Sequence, residues 1–235
     1  MNFMKEWSAF WRLFYTNGGY KRVFSEGLKN TLVIAVSGLL IGILIGTLIA
    51  AVKVTPKYKV LPRILNGVCN VYVGFFRGTP IVVQLLLAYY VIFPLMGISL
   101  GSLNTCILIF GLNSGAYVSE IMRAGILSVD SGQMEAGRAL GLGFAPTMIK
   151  VVVPQAIKNI LPTLGNEFIA LIKDTSVVSF VAAVDLYKVF TEIGNKNYEY
   201  LAPYLMMALI YIVLILMVTL LFKLIEKQMR RSERV

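Results

Sequence analysis

The chain has no histidine among its 235 residues and only two cysteines, Cys69 and Cys106, which lie in separate apolar stretches. Without histidine and without a Cys-x-x-Cys pair, the common zinc and haem sites and the Ser-His-Asp triad cannot be built from this sequence. A free cysteine in an apolar run ordinarily behaves as a small buried side chain. The sequence therefore predicts no metal site, and it predicts that the chain is not an enzyme.

Charged residues are also scarce. Only 14% of the residues are charged and 57% are hydrophobic, whereas charged residues make up roughly 25% of ordinary soluble domains. The net charge of +10 comes from 22 Lys and Arg against 12 Asp and Glu. Because most of the basic residues flank apolar runs, they suit anionic lipid headgroups rather than nucleic acid. We therefore predict an all-α integral membrane protein surrounded by lipid.

Five runs are apolar and long enough to be considered as membrane spans, for which a helix needs about 20 residues. The first and last contain no charged residue, and the other three carry polar or charged side chains that are expected to face the interior. Near the centre of the second run, Arg77-Gly78-Thr79-Pro80 predicts a tilted or broken helix. The predicted spans are residues 31–52, 64–96, 103–123, 154–184 and 203–222.

Basic residues in the loops indicate the orientation of these spans. In a five-span arrangement, the loop after the first span, the segment between the third and fourth, and the tail after the last all lie on one side, which is predicted to be cytoplasmic. The N-terminus is then outside, although the N-terminal segment is itself basic, and residues 227–235 form a basic cytoplasmic tail. The basic residues on the cytoplasmic side are Lys53, Lys57, Lys59, Arg63, Arg123, Arg138, Lys150, Lys158, Lys223, Lys227, Arg230, Arg231 and Arg234.

Residues 1–26 contain an aromatic stripe with helical spacing, formed by Phe3, Trp7, Phe10, Trp11 and Phe14. This spacing predicts an amphipathic helix on the extracytoplasmic side. Two interpretations remain open: the helix lies in the membrane interface, or its aromatic face packs against neighbouring helices. Residues 27–226 are predicted to form the membrane domain.

The loop 130–154 contains signals for a short helix. Ser131 is predicted to open it, with Glu135 in its first turn, where the helix dipole favours an acid. The glycines at 141 and 143, followed by Pro146, are predicted to end it. A short helix on a cytoplasmic loop suits contact with a partner protein.

The same loop resembles the EAA loop of bacterial ABC-importer permeases. That pattern has Glu-Ala-Ala, three residues, Gly, nine residues, and then Ile, any residue, Leu and Pro. The spacing is kept here, but Gly137 replaces the second Ala and Val replaces both Ile and Leu. The matching residues are Glu135, Ala136, Gly137, Gly141, Val151, Val153 and Pro154.

This resemblance implies a type I ABC-importer permease, a multi-pass protein of the bacterial cytoplasmic membrane. Residues Glu135, Ala136, Gly137 and Gly141 would form a coupling helix that fits a cleft in a separate ATPase subunit, which binds ATP and Mg. The sequence contains no Gly-x-x-x-x-Gly-Lys-[Ser/Thr] phosphate loop of its own. No cofactor is therefore expected in this chain.

Further segments extend the resemblance to the polar amino-acid uptake family of these permeases. They imply an extracytoplasmic amino-acid-binding protein as a partner, and pairing with an identical or related permease in a dimer. In the segment Asn113–Tyr117, the side chains of Asn113 and Tyr117 are taken as solute contacts. The segments are Gly27–Leu32, Phe76–Pro80, Asn113–Tyr117 with Glu120, Arg123 and Gly125, and Lys173–Ser176.

Charged residues inside the spans are predicted to mark the transport path, because each costs roughly 2.5–3.5 kcal/mol at the bilayer centre. Glu167 and Asp174 are seven residues apart and share a helix face, where two carboxylates would suit an amino or guanidinium group. Arg77 would suit a carboxylate, with Thr79 adding a hydroxyl. A site with both signs of charge is what a zwitterionic amino acid requires.

Internal pairing is the alternative role for these charges. Arg77 could form a salt bridge with Glu167 or Asp174. Lys173 could extend to the interface or take part in gating or helix pairing. Glu120 and Arg123, three residues apart in the third span, are predicted to pair with each other or to act in gating.

Together these features predict the permease subunit of an ATP-driven importer of polar amino acids, with cationic or amide side chains favoured by the acidic residues. The competing hypothesis is a secondary transporter that works without an ATPase. In that case Glu167 or Asp174 would titrate and couple solute movement to protons.

Overall fold

The computed structural model describes residues 3–16, 18–56 and 58–231, which fold as helices without a strand. Lys57 of the basic loop and Arg234 of the basic tail, like positions 1, 2 and 17, lie outside the described residues. A 3₁₀ helix, Thr175–Val181, follows the α-helix that ends at Asp174. We number the helices α1 (Phe3–Thr16), α2 (Gly19–Val54), α3 (Val60–Gly78), α4 (Ile81–Leu95), α5 (Ser102–Leu127), α6 (Ser131–Ala139), α7 (residues 144–174), α8 (Leu186–Asn197) and α9 (Leu201–Arg231).

Three helices of the described chain are long and apolar enough to cross a membrane: α2, α5 and the part of α9 up to Met229. The successive helices α3 and α4 make a fourth if they form one span. The predicted first, third and fifth spans lie within α2, α5 and α9, and α3 with α4 correspond to the predicted second span. The predicted fourth span is not among the candidates, because polar residues such as Gln155, Lys158 and Asn159 interrupt the apolar stretch of α7.

The predicted fourth span also differs from the structure at its end. The sequence suggested one segment over 154–184, but the α-helix ends at Asp174 and the next residues form the 3₁₀ helix. Ala182 then adopts a left-handed conformation with φ of 60°, which turns the chain toward α8. The α-helix is therefore shorter at its C-terminal end than the predicted segment.

The break predicted in the second span is confirmed, and its backbone explains it. α3 ends at Gly78, Thr79 is extended with φ −124° and ψ 144°, and α4 begins after Pro80. Proline lacks an amide donor and disfavours the helical conformation of the residue before it. The pair Thr79-Pro80 therefore ends one helix and starts another.

The chain divides into two packing units. Unit 1 contains the chain as far as Gly38 together with Pro80–Gly111 and Ala170–Met217. Unit 2 contains Leu39–Thr79, Leu112–Ile169 and the chain from Val218. Each unit has its own buried core, and each is described separately below.

Unit 1 is built around the aromatic face of α1. Phe10 and Phe14 are buried in a core with Val23 of α2 and with Val189 and Phe190 of α8. Apart from Phe3, whose side chain lies outside the described residues, the predicted aromatic stripe thus packs against neighbouring helices, as the second of its two interpretations expected. A close approach and two polar contacts reinforce this packing. A Cβ atom added to Gly27 would lie 3.3 Å from the Leu186 backbone. The Arg22 guanidinium lies 2.7 Å from the Glu192 carboxylate, and the Asn30 amide donates to the Val184 carbonyl at 2.8 Å.

Unit 2 depends on close packing between α2 and α5. A Cβ atom added to Gly42 would lie 2.5 Å from Ser114 Oγ, and one added to Gly46 would lie 2.8 Å from the Ser119 amide nitrogen. Small residues of this kind let two helix backbones approach closely in a membrane protein. Nearby, Val118 of α5 is buried with Ala156, Ile160 and Leu164 of α7. The result is a rigid contact among α2, α5 and α7.

Candidate functional site

The predicted solute-contacting residues of unit 2 lie on three helices: Arg77 at the end of α3 with Thr79 just beyond it, Asn113 and Tyr117 on α5, and Glu167 on α7. Asn113 and Tyr117 are four residues apart, so both lie on the same face of α5. Asn113 is buried, and its amide donates to the Phe76 carbonyl at 3.2 Å. This bond joins α5 to the last turn of α3.

Arg77 contacts an aromatic ring on α5. Its guanidinium carbon lies 5.4 Å from the centre of the Tyr117 ring, within the range of a cation–π interaction. The sequence did not predict this partner. The Thr79 hydroxyl donates to the Phe75 carbonyl at 2.9 Å and thereby binds to the last turn of α3, at the break before Pro80.

Glu167 is held by a residue that the sequence did not single out. The hydroxyl of Ser114 on α5 donates to Glu167 Oε1 at 3.0 Å, and Ser114 itself is fully buried. Tyr72 is a second missed residue, since its hydroxyl donates to the Leu112 carbonyl and joins α3 to α5. Ser114 lies within the segment 113–117 that carries the family resemblance, so that segment was the available signal.

Two further predicted residues lie in unit 1. Lys173 and Asp174 form the last positions of α7 before the 3₁₀ helix, and both are exposed. Asp174 thus lies at the end of a helix and not within a longer one. Asp174 belongs to unit 1 and Glu167 to unit 2.

Glu120 forms a three-residue ion-pair network in unit 2. Its Oε2 lies 2.9 Å from an Arg123 guanidinium nitrogen, and its Oε1 lies 2.6 Å from Lys53 Nζ. The pairing of Glu120 with Arg123 was one of the two predicted roles. Lys53 was missed, because the sequence suggested only a loop base that marks topology. It joins the end of α2 to α5.

The predicted coupling helix is α6. Its cap is Asp130 and not Ser131, since the Asp130 carboxylate accepts from the Gly132 amide at 2.6 Å. The helix begins at Ser131, as predicted, but the capping side chain is that of Asp130. Glu135 falls in the second turn instead of the first, because helix numbering begins after Asp130.

The C-terminal end of α6 explains the glycine at position 141. The Leu142 amide donates to the Gly137 carbonyl and the Gly141 amide donates to the Arg138 carbonyl, both at 2.9 Å. This pair of bonds is a Schellman motif, which requires a left-handed residue, and Gly141 has φ of 78°. Glycine adopts that conformation without steric cost.

One face of α6 is fastened to the chain and the other is exposed. Gly137 is buried against Thr147 at the start of α7, so closely that an added Cβ would overlap the Thr147 side chain. Glu135 and Ala136 are exposed, and Leu140 is 81% exposed. The loop therefore presents an acid and an apolar side chain on an anchored helix.

A cavity in unit 2 has the wrong chemistry for a polar solute. It has a volume of about 440 Å³ and lies between α2, α5 and α7. Its walls are apolar apart from two threonines, and none of the predicted solute contacts lines it. Residues typical of its lining are Ala50, Met122, Phe144 and Ile160.

Asp185 is a buried acid in unit 1. It caps α8, with Oδ1 accepting from the Lys188 amide at 2.9 Å and Oδ2 from the Tyr187 amide at 3.1 Å. Burial raises the pKa of the Asp185 carboxyl to about 6, whereas the two amide bonds and the charge of Lys188 lower it. The cap therefore holds a carboxylate in a site that disfavours its charge.

No group of three or more His, Cys, Asp and Glu side chains that could hold a metal ion occurs among the residues that the structure describes. The polar contacts instead join helices to one another within a largely apolar, all-helical chain. Together with the apolar helices, these contacts are those of a multi-pass membrane protein.

Comparison with known proteins identifies the family. The chain belongs to the family of binding-protein-dependent transport system inner membrane components, whose pattern matches residues 38–231. It is 36% identical over 208 residues to the arginine transport system permease protein ArtQ of Bacillus subtilis strain 168, covering 88% of this chain and 93% of ArtQ. It is 37% identical over 212 residues to the putative glutamine transport system permease protein GlnP of Rickettsia conorii, covering 89% of this chain and 95% of GlnP.

A solved structure agrees with this assignment. The chain is similar to one described as an amino acid ABC transporter with histidines, with a TM-score of 0.81 and 38% sequence identity. The match covers 91% of this chain and 97% of that one. The fold is therefore that of an ABC-importer permease, as the EAA-like loop indicated.

Proposed function

We propose that this chain is the permease subunit of an ATP-driven, binding-protein-dependent importer of amino acids with cationic or amide side chains. The observation that carries the proposal is the cluster on α3, α5 and α7 of unit 2. There a carboxylate on α7 contacts α5, and a guanidinium and an amide lie where α5 meets the end of α3.

The charges of this cluster match a zwitterionic solute. Arg77 supplies donors for the solute carboxylate, assisted by the Thr79 hydroxyl, while Asn113 and Tyr117 add neutral polar contacts. Glu167 accepts hydrogen bonds from a cationic or amide side chain. The names of the similar proteins support the class: ArtQ is an arginine permease, GlnP a putative glutamine permease, and the solved transporter is described with histidines.

Transport is driven by a separate ATPase subunit that docks on α6. Three features support this step: Glu135 and Ala136 are exposed, Gly137 fastens the helix to α7, and Gly141 ends it. ATP and Mg bind to that partner, and its closure moves α6 to alternate access at the solute site. Glu120 and Arg123 with Lys53, and Lys173, act in helix pairing or gating during this change.

The assembly also contains an extracytoplasmic amino-acid-binding protein and a second permease, identical or related. It lies in the bacterial cytoplasmic membrane with the N-terminus outside and the C-terminus in the cytoplasm. Residues 1–26 form the external segment, 27–226 the permease domain and 227–235 the cytoplasmic tail. Loop charge supports this orientation.

Reconstitution tests the proposal. Proteoliposomes containing this chain with its ATPase and binding protein should take up labelled L-arginine or L-glutamine only with ATP on the ATPase side. A non-hydrolysable ATP analogue is the control and should give no uptake. Uptake driven by a pH gradient through this chain alone would instead establish the proton-coupled transporter and overturn the proposal.

A further inference from the structure

We infer that Ser114 is a positioning residue for Glu167 and thereby raises the affinity of the site for cationic and amide solutes. The inference rests on the proposed function, in which Glu167 contacts the solute. Ser114 lies on α5, is fully buried, and donates its hydroxyl to Glu167 Oε1 at 3.0 Å. An ionised carboxylate only accepts hydrogen bonds, so the serine must be the donor in this pair.

The position of the Ser114 hydroxyl is itself restricted by α2. A Cβ atom on residue 42 would lie 2.5 Å from Ser114 Oγ and 2.8 Å from Ser114 Cβ, closer than real Cβ atoms approach. The hydroxyl therefore occupies space that exists because Gly42 has no side chain. One turn further along, Gly46 lies as close to the α5 backbone at Ser119. The two close contacts leave α5 little freedom to shift against α2.

These contacts form a chain of support from α2 through α5 to α7. The backbone at Gly42 confines Ser114, and Ser114 fixes one carboxylate oxygen of Glu167. The last torsion angle of a glutamate side chain has no sharp preference of its own, so hydrogen bonds decide how the carboxylate is oriented. Fixing one oxygen orients the plane of the carboxylate, and a pre-oriented acceptor loses less entropy when a solute binds. Ser114 thus acts on solute affinity through Glu167 without contacting the solute.

Ser114→Ala tests this role because it removes the donor and leaves the helix packing in place. In proteoliposomes with ATPase and binding protein, we expect the KM for L-arginine and L-glutamine uptake to rise by about ten-fold, the size expected for losing a hydrogen bond to a charged group. The maximal uptake rate should stay within about two-fold of the unmodified protein, because the change acts on binding and not on coupling.

Ser119→Ala is a matched control. Ser119 is also fully buried on α5, but its hydroxyl donates to the Ala116 carbonyl of its own helix at 2.7 Å. Its removal should leave the KM unchanged. A general loss of helix stability would instead affect both serine variants, and size-exclusion profiles of the assembled complexes would reveal it.

Glu167→Leu separates the inference from the proposed function, because leucine offers no acceptor to the Ser114 hydroxyl. If Ser114 acts through Glu167, the double variant Ser114→Ala, Glu167→Leu should have the KM of Glu167→Leu alone. If Ser114→Ala still raises the KM in that background, the serine acts otherwise and the inference is overturned. The inference alone also fails if Glu167→Leu raises the KM but Ser114→Ala does not. If Glu167→Leu has no effect, the proposed solute contact fails, and the inference fails with it.

Discussion

At the scale of single residues, the best-defined polar contact is the network of Lys53, Glu120 and Arg123. The Lys53 side chain is 9% exposed and the Arg123 side chain is 38% exposed, so the two cations differ in how much they depend on Glu120. An enclosed cation that loses its partner carries an uncompensated charge, whereas an exposed one is solvated by water.

This difference predicts that Glu120→Gln destabilises the protein chiefly through Lys53. We expect the midpoint of thermal unfolding in detergent to fall by about 5 °C, a value reduced from that of a fully buried pair because Glu120 is partly exposed. Arg123→Gln is the control and should lower the midpoint by less than about 2 °C. Equal effects of the two variants would contradict the assigned role of Lys53.

Asp185 predicts a pH dependence of stability. Its folded pKa of about 6 lies above the ordinary value of 3.8, so the folded protein binds more protons than the unfolded chain between these values. The contribution of Asp185 to the free energy of unfolding is therefore complete below about pH 4 and is lost as the pH rises through about 6. Asp185→Asn keeps a capping oxygen and removes the charge.

Thermal unfolding between pH 4.5 and 7.5 would measure this contribution. The midpoint of the unmodified protein should fall over this range more steeply than that of Asp185→Asn. Asp185→Ala should be less stable than Asp185→Asn at every pH, because the amides of Tyr187 and Lys188 then lose their acceptor. Parallel pH curves for the unmodified and Asn proteins would show that the raised pKa is wrong.

The same residues show which contacts a sequence can predict. Glu120 and Arg123 were expected to pair because they are three residues apart on one helix. Lys53 is 67 residues from Glu120 and Ser114 is 53 residues from Glu167. Long-range partners of this kind depend on how helices pack, which the local sequence does not specify. Serine in an apolar run also gives no sign of which neighbour its hydroxyl will reach.

At the scale of helices, boundaries were predictable where a residue imposes a backbone conformation. Proline disfavours helix at Thr79, and Gly141 supplies a positive φ at the end of α6. The end of α7 was not predictable in this way, because residues 175–181 contain neither glycine nor proline. The change to a 3₁₀ helix there depends on packing within unit 1, where Thr175, Val178 and Val181 are buried.

Gly137 gives a prediction for the α6 segment, where the related pattern has alanine. Gly137→Ala would force a methyl group into the Thr147 side chain, and overpacking of this kind typically costs 1–3 kcal/mol. We expect trypsin cleavage after the exposed Arg138 to become about ten-fold faster in the purified protein, since α6 would detach more often.

Thr147→Ala removes the atoms that an alanine at 137 would meet first. The double variant Gly137→Ala, Thr147→Ala should therefore recover much of the resistance to trypsin. Thr147→Ala alone provides the reference for the cycle. If the double variant is cleaved as fast as Gly137→Ala, the contact with Thr147 does not explain the glycine.

At the scale of the whole molecule, hydrophobicity correctly indicated a multi-pass helical protein but not all of its segments. Apolar runs predicted α2, α5 and α9, since each of these helices is long and apolar enough to cross a membrane. α7 combines Lys158, Asn166 and Glu167 with apolar residues, and its polar side chains form contacts within the protein, as the Ser114–Glu167 bond illustrates. A helix of this kind is recognised by its family resemblance and not by hydropathy.

The assembly provides the last prediction, which concerns the exposed face of α6. If this helix docks into an ATPase, Glu135 lies at the interface, and Glu135→Lys replaces an acid with a base there. Like charges brought together across an interface cost several kcal/mol, so we expect co-purification of the ATPase to fall by more than about ten-fold. Glu135→Gln should have a smaller effect, because it removes a charge without reversing it.

Two measurements keep this test specific. Lys196→Glu reverses a charge at the exposed end of α8, which is predicted to lie on the extracytoplasmic side of the membrane. This variant should leave ATPase association unchanged. The Glu135 variants should also retain the size-exclusion profile of the unmodified permease, because the Glu135 side chain is exposed. If Glu135→Lys binds the ATPase as well as the unmodified chain does, α6 is not the docking helix. The coupling part of the proposed function then fails, and the solute site is tested separately.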